Sequence, residues 1–300
     1  MKKKTVGIML SLSMAMSLMA CGSSTQPAAA SVDTEEPAAT TQAASTAEAT
    51  ASSTEAAADT AASTAAVTTI KDGTLMVGVE IGYPPMEYFD TDGATPIGFD
   101  VEVANALADY LGLELVDTSW DGIFAGVDTG KYDCIISCVS ITDERKEQFN
   151  LTKPYVSNHT VLIVPNDSEI DSMEALNGHS TAVQAETTAD DYMKEHSAEL
   201  GAELFQYDKV INCFDDLKAG RTDSVFTDSV VAAYYLGDEA SNYKTVWEND
   251  ELEPIGICLK KGNDGLTQAI DDALDALSAD GTLGTIAEKY FGTDLTAGLR

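Results

Sequence analysis

An α/β fold is what the sequence predicts. Three observations carry that reading: short apolar runs of strand length, amphipathic stretches of helix length between them, and an alternation of the two from about residue 75 to residue 291. Leu75-Met-Val-Gly-Val79 reads as a buried strand. Residues 101–111 read as a helix because Val101, Ala104, Leu107, Ala108 and Leu111 share a face, with Gly112 closing it. Strands follow at Leu113–Val116, Tyr132–Ser137 and Thr160–Val164, the last ended by Pro165-Asn166. Then the rhythm restarts. Strands near 181–184, 204–207 and 224–227 alternate with helices at about 188–200, 214–219 and 229–236. Ile255-Gly-Ile-Cys-Leu259 reads as one more strand, before helices at about 265–277 and 283–291. No internal repeat is visible.

The ends of the chain bound where this globule works. Residues 1–21 carry Lys2, Lys3 and Lys4, an apolar stretch from Val6 to Ala20, and then Cys21, the pattern of an export signal. At about 15 residues the stretch is short for a membrane span. Leu18-Met19-Ala20-Cys21-Gly22 resembles the bacterial lipoprotein box, whose cysteine is diacylated and becomes the new N-terminus. Met19 is less usual there than Ala, Ser or Thr, and a chance cysteine is the plainer alternative. Two acyl chains anchor stably where one does not. Residues 22–69 are almost all Ala, Thr, Ser and Glu with scattered Pro, without aromatic residues or apolar periodicity. Such a stretch cannot bury enough surface to offset ordering entropy, so it reads as a disordered tether spanning on the order of 35–40 Å.

Charge excludes one class of partner. The 300 residues carry a formal net charge of −33, and loss of the signal leaves 14 basic residues against 50 acidic, near −36. So acidic a surface argues against nucleic acid and against unaided binding to anionic lipid. Besides Cys21, the cysteines Cys134, Cys138, Cys213 and Cys258 lack the paired short spacing of a zinc site, so no metal is expected. Cys134 and Cys138, four apart on the predicted strand, are too distant to bridge each other and read as small buried residues. A Cys213–Cys258 bridge is left open.

Arg145 is one of three arginines in the chain, in Ser140-Ile-Thr-Asp-Glu-Arg145 directly after the apolar run Cys134–Val139. A guanidinium where a buried strand meets a helix N-terminus points to an anion, because guanidinium groups pair carboxylates bidentately. Thr142 reads as the helix N-cap, Asp143 and Glu144 as acidic first-turn residues, with the free amides directed toward the same anion. A small carboxylate is the first ligand hypothesis. A solvated helix arginine is the duller one.

Gly98-Phe-Asp-Val-Glu-Val-Ala-Asn-Ala-Leu-Ala-Asp-Tyr-Leu111 resembles the signature of the family-3 extracellular solute-binding proteins, the polar amino-acid receptors of ABC importers. Gly82-Tyr-Pro-Pro-Met86, Trp120-Asp-Gly-Ile123, Asp133–Arg145, Gly220-Arg-Thr-Asp223, Asp228-Ser229 and Asp280-Gly-Thr-Leu283 follow in the family's order and spacing, so the resemblance covers nearly all of residues 72–292. It implies a two-lobe fold of the type II periplasmic-binding-protein kind, with two crossover strands joining the lobes and the ligand between them. Lobe 1 would comprise residues 70–157 and 253–298, and lobe 2 residues 158–252. That division explains why the rhythm restarts after Pro165.

The resemblance also implies a ligand-binding set. Arg145 matches the arginine that grips the ligand α-carboxylate, and Ser140 a hydroxyl that bonds the same group, although a turn serine is the plain alternative. Asp228 matches the aspartate that receives the α-ammonium group; as an N-cap it would serve a helix starting at Ser229. Thr188 matches a threonine that meets the carboxylate. Glu186 stands where the family commonly has glycine, which puts the turn conformation in doubt. At Cys138 relatives often have Ser or Gly and use backbone atoms. Tyr83 matches an aromatic that stacks on the ligand side chain and Trp120 a pocket-lining position, plain core being the alternative for both. Glu80 lies where relatives that select cationic side chains place an acid, and an acid beside two aromatic faces favours a cation. Lysine, arginine, histidine or ornithine therefore leads, with glutamine or cystine behind.

The function expected is a lipid-anchored receptor on the outer face of the cytoplasmic membrane. It would be a monomer that passes a free amino acid to an ABC permease, with no cofactor and no catalytic residue. Two other classes stay in view. The same fold hosts a dehydratase of aromatic biosynthesis, but His159, His179 and His196 are dispersed, adjoin no nucleophile motif and read as surface residues. A sensor that presents the amino acid to a signalling partner has the same sequence features as a transporter.

Overall fold

The structure, a computed structural model, describes residues 67–108 and 112–299. The export signal, Cys21 and all but the last residues of the tether lie outside these residues.

In chain order the strands are β1 (Thr74–Val79), β2 (Tyr88–Phe89), β3 (Pro96–Ile97), β4 (Gly112–Asp117), β5 (Cys134–Ile135), β6 (Phe149–Leu151), β7 (Val156–Asn158), β8 (Thr160–Pro165), β9 (Ser180–Gln184), β10 (Glu203–Tyr207), β11 (Ser224–Asp228), β12 (Tyr243–Glu248), β13 (Glu253–Ile255) and β14 (Cys258–Lys260). The helices are α1 (Phe99–Leu107), α2 (Ile123–Thr129), α3 (Asp143–Gln148), α4 (Thr188–Leu200), α5 (Val210–Lys218), α6 (Ser229–Leu236), α7 (Asp264–Ala279) and α8 (Thr282–Phe291). Two five-stranded sheets result, ordered β4-β1-β5-β14-β6 and β10-β9-β11-β8-β12. Between them β7 and β13 pair antiparallel, Val156 opposite Ile255 and Asn158 opposite Glu253. This is a two-lobe type II periplasmic-binding-protein fold, with one sheet per lobe and the two strands as the crossing.

The central strands are apolar along their length because helices cover both faces. Residues 160–164 of β8 are buried throughout, and so are Leu75, Val77 and Val79 of β1. Gly78 of β1 lies flat against Tyr132, where an added Cβ would come within 2.4 Å of the ring.

Helices α4 and α6 keep their predicted limits. Thr187 caps α4 by accepting from Asp190 N at 3.2 Å, and Gly201 ends it at φ 68°. Elsewhere the boundaries moved. Helix α5 begins at Val210, four residues early, because Val210, Cys213, Phe214 and Leu217 form one buried face. Gly112, expected to close a helix, is the first residue of β4 and pairs with Thr74. The strand expected over 132–137 is only Cys134–Ile135, since the chain turns at Cys138 with φ 47°. The run 255–259 is broken at Gly256, where a Cβ would meet Ile141 at 2.7 Å; Gly256 N donates to Val139 O and Ile257 N to the Thr152 hydroxyl. Cys213 and Cys258 are free, buried and in different lobes, which removes the bridge left open.

The Gly98-Phe99-Asp100 signature has a structural reason at each position. Gly98 sits at φ 134°, ψ 173°, a region essentially confined to glycine, and a Cβ there would lie 2.2 Å from Met86 O. Phe99 stacks on Tyr155 and tilts against Phe291. Asp100, fully buried, accepts from Tyr155 Oη and from Cys138 N, each at 2.7 Å. The start of α1 thus sets the turn that carries Cys138. Gly98→Ala is expected to destabilise the protein by about 2 kcal/mol or more through strain and overlap, measured as a lower urea midpoint; an unchanged midpoint contradicts it.

Candidate functional site

Both sheets direct strand ends into the cleft, and a cavity of about 380 Å³, counted out to its mouth, lies between the lobes. Lobe 1 contributes Glu80, Tyr83, Glu87, Trp120, Ser137, Cys138, Ser140 and Arg145. Lobe 2 contributes Gln184, Thr187, Thr188, Ala189 and Asp228. All eight sequence-predicted ligand residues line this one cavity. Glu186 does not, although it takes the glycine-like φ of 62° and its carbonyl accepts from Trp120 Nε1 at 2.9 Å. Glutamate here holds a backbone conformation that glycine takes more readily. His159, His179 and His196 are partly exposed and line no part of the cavity.

The lobes are closed on each other. Besides the Trp120–Glu186 bond, Tyr83 Oη donates to Asp228 Oδ2 at 2.5 Å, and Gln184 Nε2 donates to Glu80 Oε2 at 2.8 Å and Oε1 at 3.1 Å. All three bonds cross the cleft.

Arg145 is half-buried on α3. One guanidinium nitrogen donates to Ser140 O at 3.0 Å, and the group lies over the Phe124 ring at 4.9 Å and the Trp120 ring at 5.7 Å. Among the described residues no carboxylate is within ion-pairing distance of it, whereas Arg221 pairs with Asp216. Burial lowers the Arg145 pKa, with Glu253 opposing. Helix α3 has only six residues, and its Arg145 N–H is taken by the Thr142 hydroxyl at 3.1 Å. The guanidinium, more than the amide dipoles invoked from sequence, supplies the positive charge here.

Asp228 ends β11 and precedes α6, yet its side chain caps nothing. It is spent on the cleft instead: Oδ1 accepts from Asn158 Nδ2 at 2.7 Å, while Oδ2 accepts from Tyr83 and lies 3.7 Å from Cys138 Sγ. Burial raises its pKa to about 7, with the Glu253 charge adding to the rise and the hydrogen bonds opposing it. Burial likewise pushes the Cys138 thiol up, and Asp228 adds to that.

Glu80, 3% exposed, is raised to about 7 by burial, against the Gln184 hydrogen bond and the Lys209 charge. Glu87 is fully buried, and burial and then the Asp100 charge hold its carboxyl well above the usual range. Its Oε1 accepts from Ser137 Oγ at 2.5 Å. As a carboxylate, its Oε2 would have no partner among the described residues. Protonated, it becomes a donor facing Asp100, which is the form burial favours.

Thr188 opens α4, so its N–H has no intrahelical acceptor, but its hydroxyl donates to Glu253 Oε1 at 2.7 Å rather than facing the cavity free. Glu253, on β13, also accepts from Thr160 at 3.2 Å. Sequence reasoning passed over Glu253, Asn158, Glu87 and Gln184. Asn158 and Glu253 stand on the crossing strands, where their pairing could not be read; Glu87, an acid between Met86 and Tyr88, carried a signal that went unused.

Residues 75–293 match the profile of the bacterial extracellular solute-binding proteins, family 3. The chain is 33% identical over 228 residues to the L-cystine-binding protein TcyJ of Escherichia coli K12, covering 75% of this chain and 85% of that protein. An ancestral arginine-binding protein bound to arginine superposes with a TM-score of 0.70 at 35% identity, covering 73% of this chain and 99% of the other. An ancestral amino acid-binding protein, a precursor of cyclohexadienyl dehydratase, gives 0.66 at 34% identity over 73% of this chain and 95% of that one.

A carboxyl raised in the folded state keeps a proton that the unfolded chain has released. Between about pH 4 and pH 7 the unfolded state then binds fewer protons, and stability falls as pH rises. Asp228 and Glu80 are both of this kind. The ligand-free protein should lose roughly 1–3 kcal/mol more across that range than Asp228→Asn does, read from urea unfolding at stepped pH. Parallel profiles for the two proteins would contradict it.

Proposed function

Because this chain belongs to the bacterial extracellular solute-binding proteins of family 3, we propose that it is the amino-acid receptor of an ABC importer, closing its two lobes around one zwitterion. One observation carries the reading: an unpaired guanidinium on lobe 1 and a part-buried acid on lobe 2, Arg145 and Asp228, line the same cavity. The ligand α-carboxylate takes Arg145 bidentately, with Ser140 and the Thr188 amide beside it. Its α-ammonium group takes Asp228, displacing Tyr83 as donor and drawing the carboxyl back to its charged form. Tyr83 and Trp120 flank the side chain, and Cys138 narrows the wall.

The side chain is cationic in this reading. Glu80 is the acid of that part of the cavity, and an ammonium or guanidinium would bring it to full charge. The likeness to an arginine-bound protein supports it. A second reading is cystine, favoured by Lys209: its exposed Nζ lies 3.4 Å from where a Cβ would stand on Gly82, and its charge acts on Glu80. An acid and an amine side by side suit the distal zwitterion of cystine, and a cystine-binding relative supports this reading.

A thermal-shift screen over the twenty amino acids, ornithine and cystine separates the two, since a ligand bound only by the folded state raises the melting temperature. Arg145→Ala should weaken whichever ligand binds by about 2 kcal/mol or more, roughly thirtyfold, in calorimetry. Undiminished binding removes the carboxylate assignment. Attachment through a diacylated Cys21 is part of the same proposal: Cys21→Ser should move the protein from the membrane to the soluble fraction, and a variant still retained on membranes contradicts the anchor.

A further inference from the structure

Two carboxyl groups meet under the lobe 1 wall of the cavity. Glu87, just before β2, and Asp100, in the first turn of α1, are both 0% exposed and hydrogen-bond each other. Two carboxylates cannot do so, and one of the pair must hold a proton. Asp100 accepts from Cys138 N and from the Tyr155 hydroxyl, each at 2.7 Å, as a carboxylate does. Glu87 accepts once, at Oε1 from the Ser137 hydroxyl, and its buried Oε2 meets no donor among the described residues. The proton therefore belongs to Glu87, and Asp100 receives it.

That proton closes a network drawn from separate stretches of lobe 1. Glu80 N, just beyond β1, donates to Ser137 Oγ at 3.1 Å; Ser137 donates to Glu87, Glu87 to Asp100, and Asp100 holds Cys138 N. Cys138 is held at φ 47°, a conformation that residues with side chains seldom take without support. The charges that act most on Glu87 are other acids, Asp100 first and Glu80 after it. Two more titratable groups face the pair. Tyr155, before β7, is pushed up by burial and then by Asp100, and Cys138 by burial and then by Asp228, so both stay neutral.

We propose that Glu87 is a positioning residue of the binding site: it stays protonated at neutral pH, and its proton, given to Asp100, holds the Ser137–Cys138 turn in the shape that lines the cavity. The bearing on ligand binding rests on the amino-acid reading above. Ionising Glu87 would set two negative charges against each other away from water, loosening the turn and with it the lobe 1 wall. Glutamine at this position keeps the shape with a fixed donor: its Nε2 serves Asp100 and its Oε1 serves Ser137, with no proton to lose.

The test compares the parent with Glu87→Gln and Glu87→Leu, using arginine and cystine as probes. In the infrared difference between the parent and Glu87→Gln at pH 8, the parent should show the C=O stretch of a buried carboxylic acid; no such band overturns the proposal. The unfolded chain ionises at Glu87 and the folded one does not, so stability falls as pH rises. Above about pH 5 the unfolding constant of the parent should therefore climb about tenfold per pH unit more steeply than that of Glu87→Gln, until the folded protein gives up the proton. Parallel urea profiles overturn it as well. At pH 7 Glu87→Leu should bind whichever probe the parent binds at least about tenfold more weakly in calorimetry, and Glu87→Gln should recover most of that loss. Equal losses in the two variants would reduce Glu87 to packing, and undiminished binding by Glu87→Leu would remove it from the site; either result overturns the proposal. Glu87→Met serves if the leucine variant does not fold. Failure of the amino-acid reading looks different: the parent then binds neither probe, while the infrared band and the urea profiles, which need no ligand, still decide the state of Glu87.

Discussion

A carboxyl group withdrawn from water needs a cation or a proton, and Glu80, Glu87 and Asp228 line the cavity with none of them, among the described residues, within ion-pairing distance of Arg145. Asp228 makes do with the hydroxyl of Tyr83 and the amide of Asn158, Glu80 with the amide of Gln184. Arg145, for its part, has only a carbonyl and two aromatic faces. Opposite charges built into one cavity but kept apart leave both incompletely compensated. A molecule that carries both charges on one carbon would complete them together.

The fold brings this about by splitting the set between two sheets. Among the described residues β7 and β13 form the crossing between the lobes, and both serve the cleft as well: β7 ends with Asn158 on Asp228, and β13 begins with Glu253 on Thr188. Residues that hold the crossing are therefore in touch with residues that line the cavity. Beneath them Asp100, with its partner Glu87, fixes the turn at Cys138 through a backbone hydrogen bond. That turn is what the first residues of the signature helix build.

Much of this was legible in the chain because it is local. The apolar face of α1 and the threonine cap of α3 are read from neighbouring residues, and the apolar run of β8 is explained by burial on both faces alone. Apart from the early start of α5, the misplaced boundaries share one cause, contacts from far along the sequence. Tyr132 decides what fits beside β1, Ile141 breaks the run at Gly256, and Asp100 bends the chain at Cys138. Of the site, the eight residues expected to gather do gather, because their motifs bring strand ends to one rim. Their partners Gln184, Asn158, Glu87 and Glu253 went unread, since hydrogen bonds spanning scores of residues leave no period or spacing.

From the sequence by itself came the α/β class, the resemblance to amino-acid receptors and the two residues of opposite charge that line the cavity. Each depends on composition, on motif order, or on periodicity within one element. Which acids would be raised, which donors would already be committed, and that one buried amide oxygen would have no partner among the described residues were decided only when the lobes met. Desolvation and hydrogen-bond satisfaction are properties of a surrounded atom, and the surroundings here come from both lobes at once.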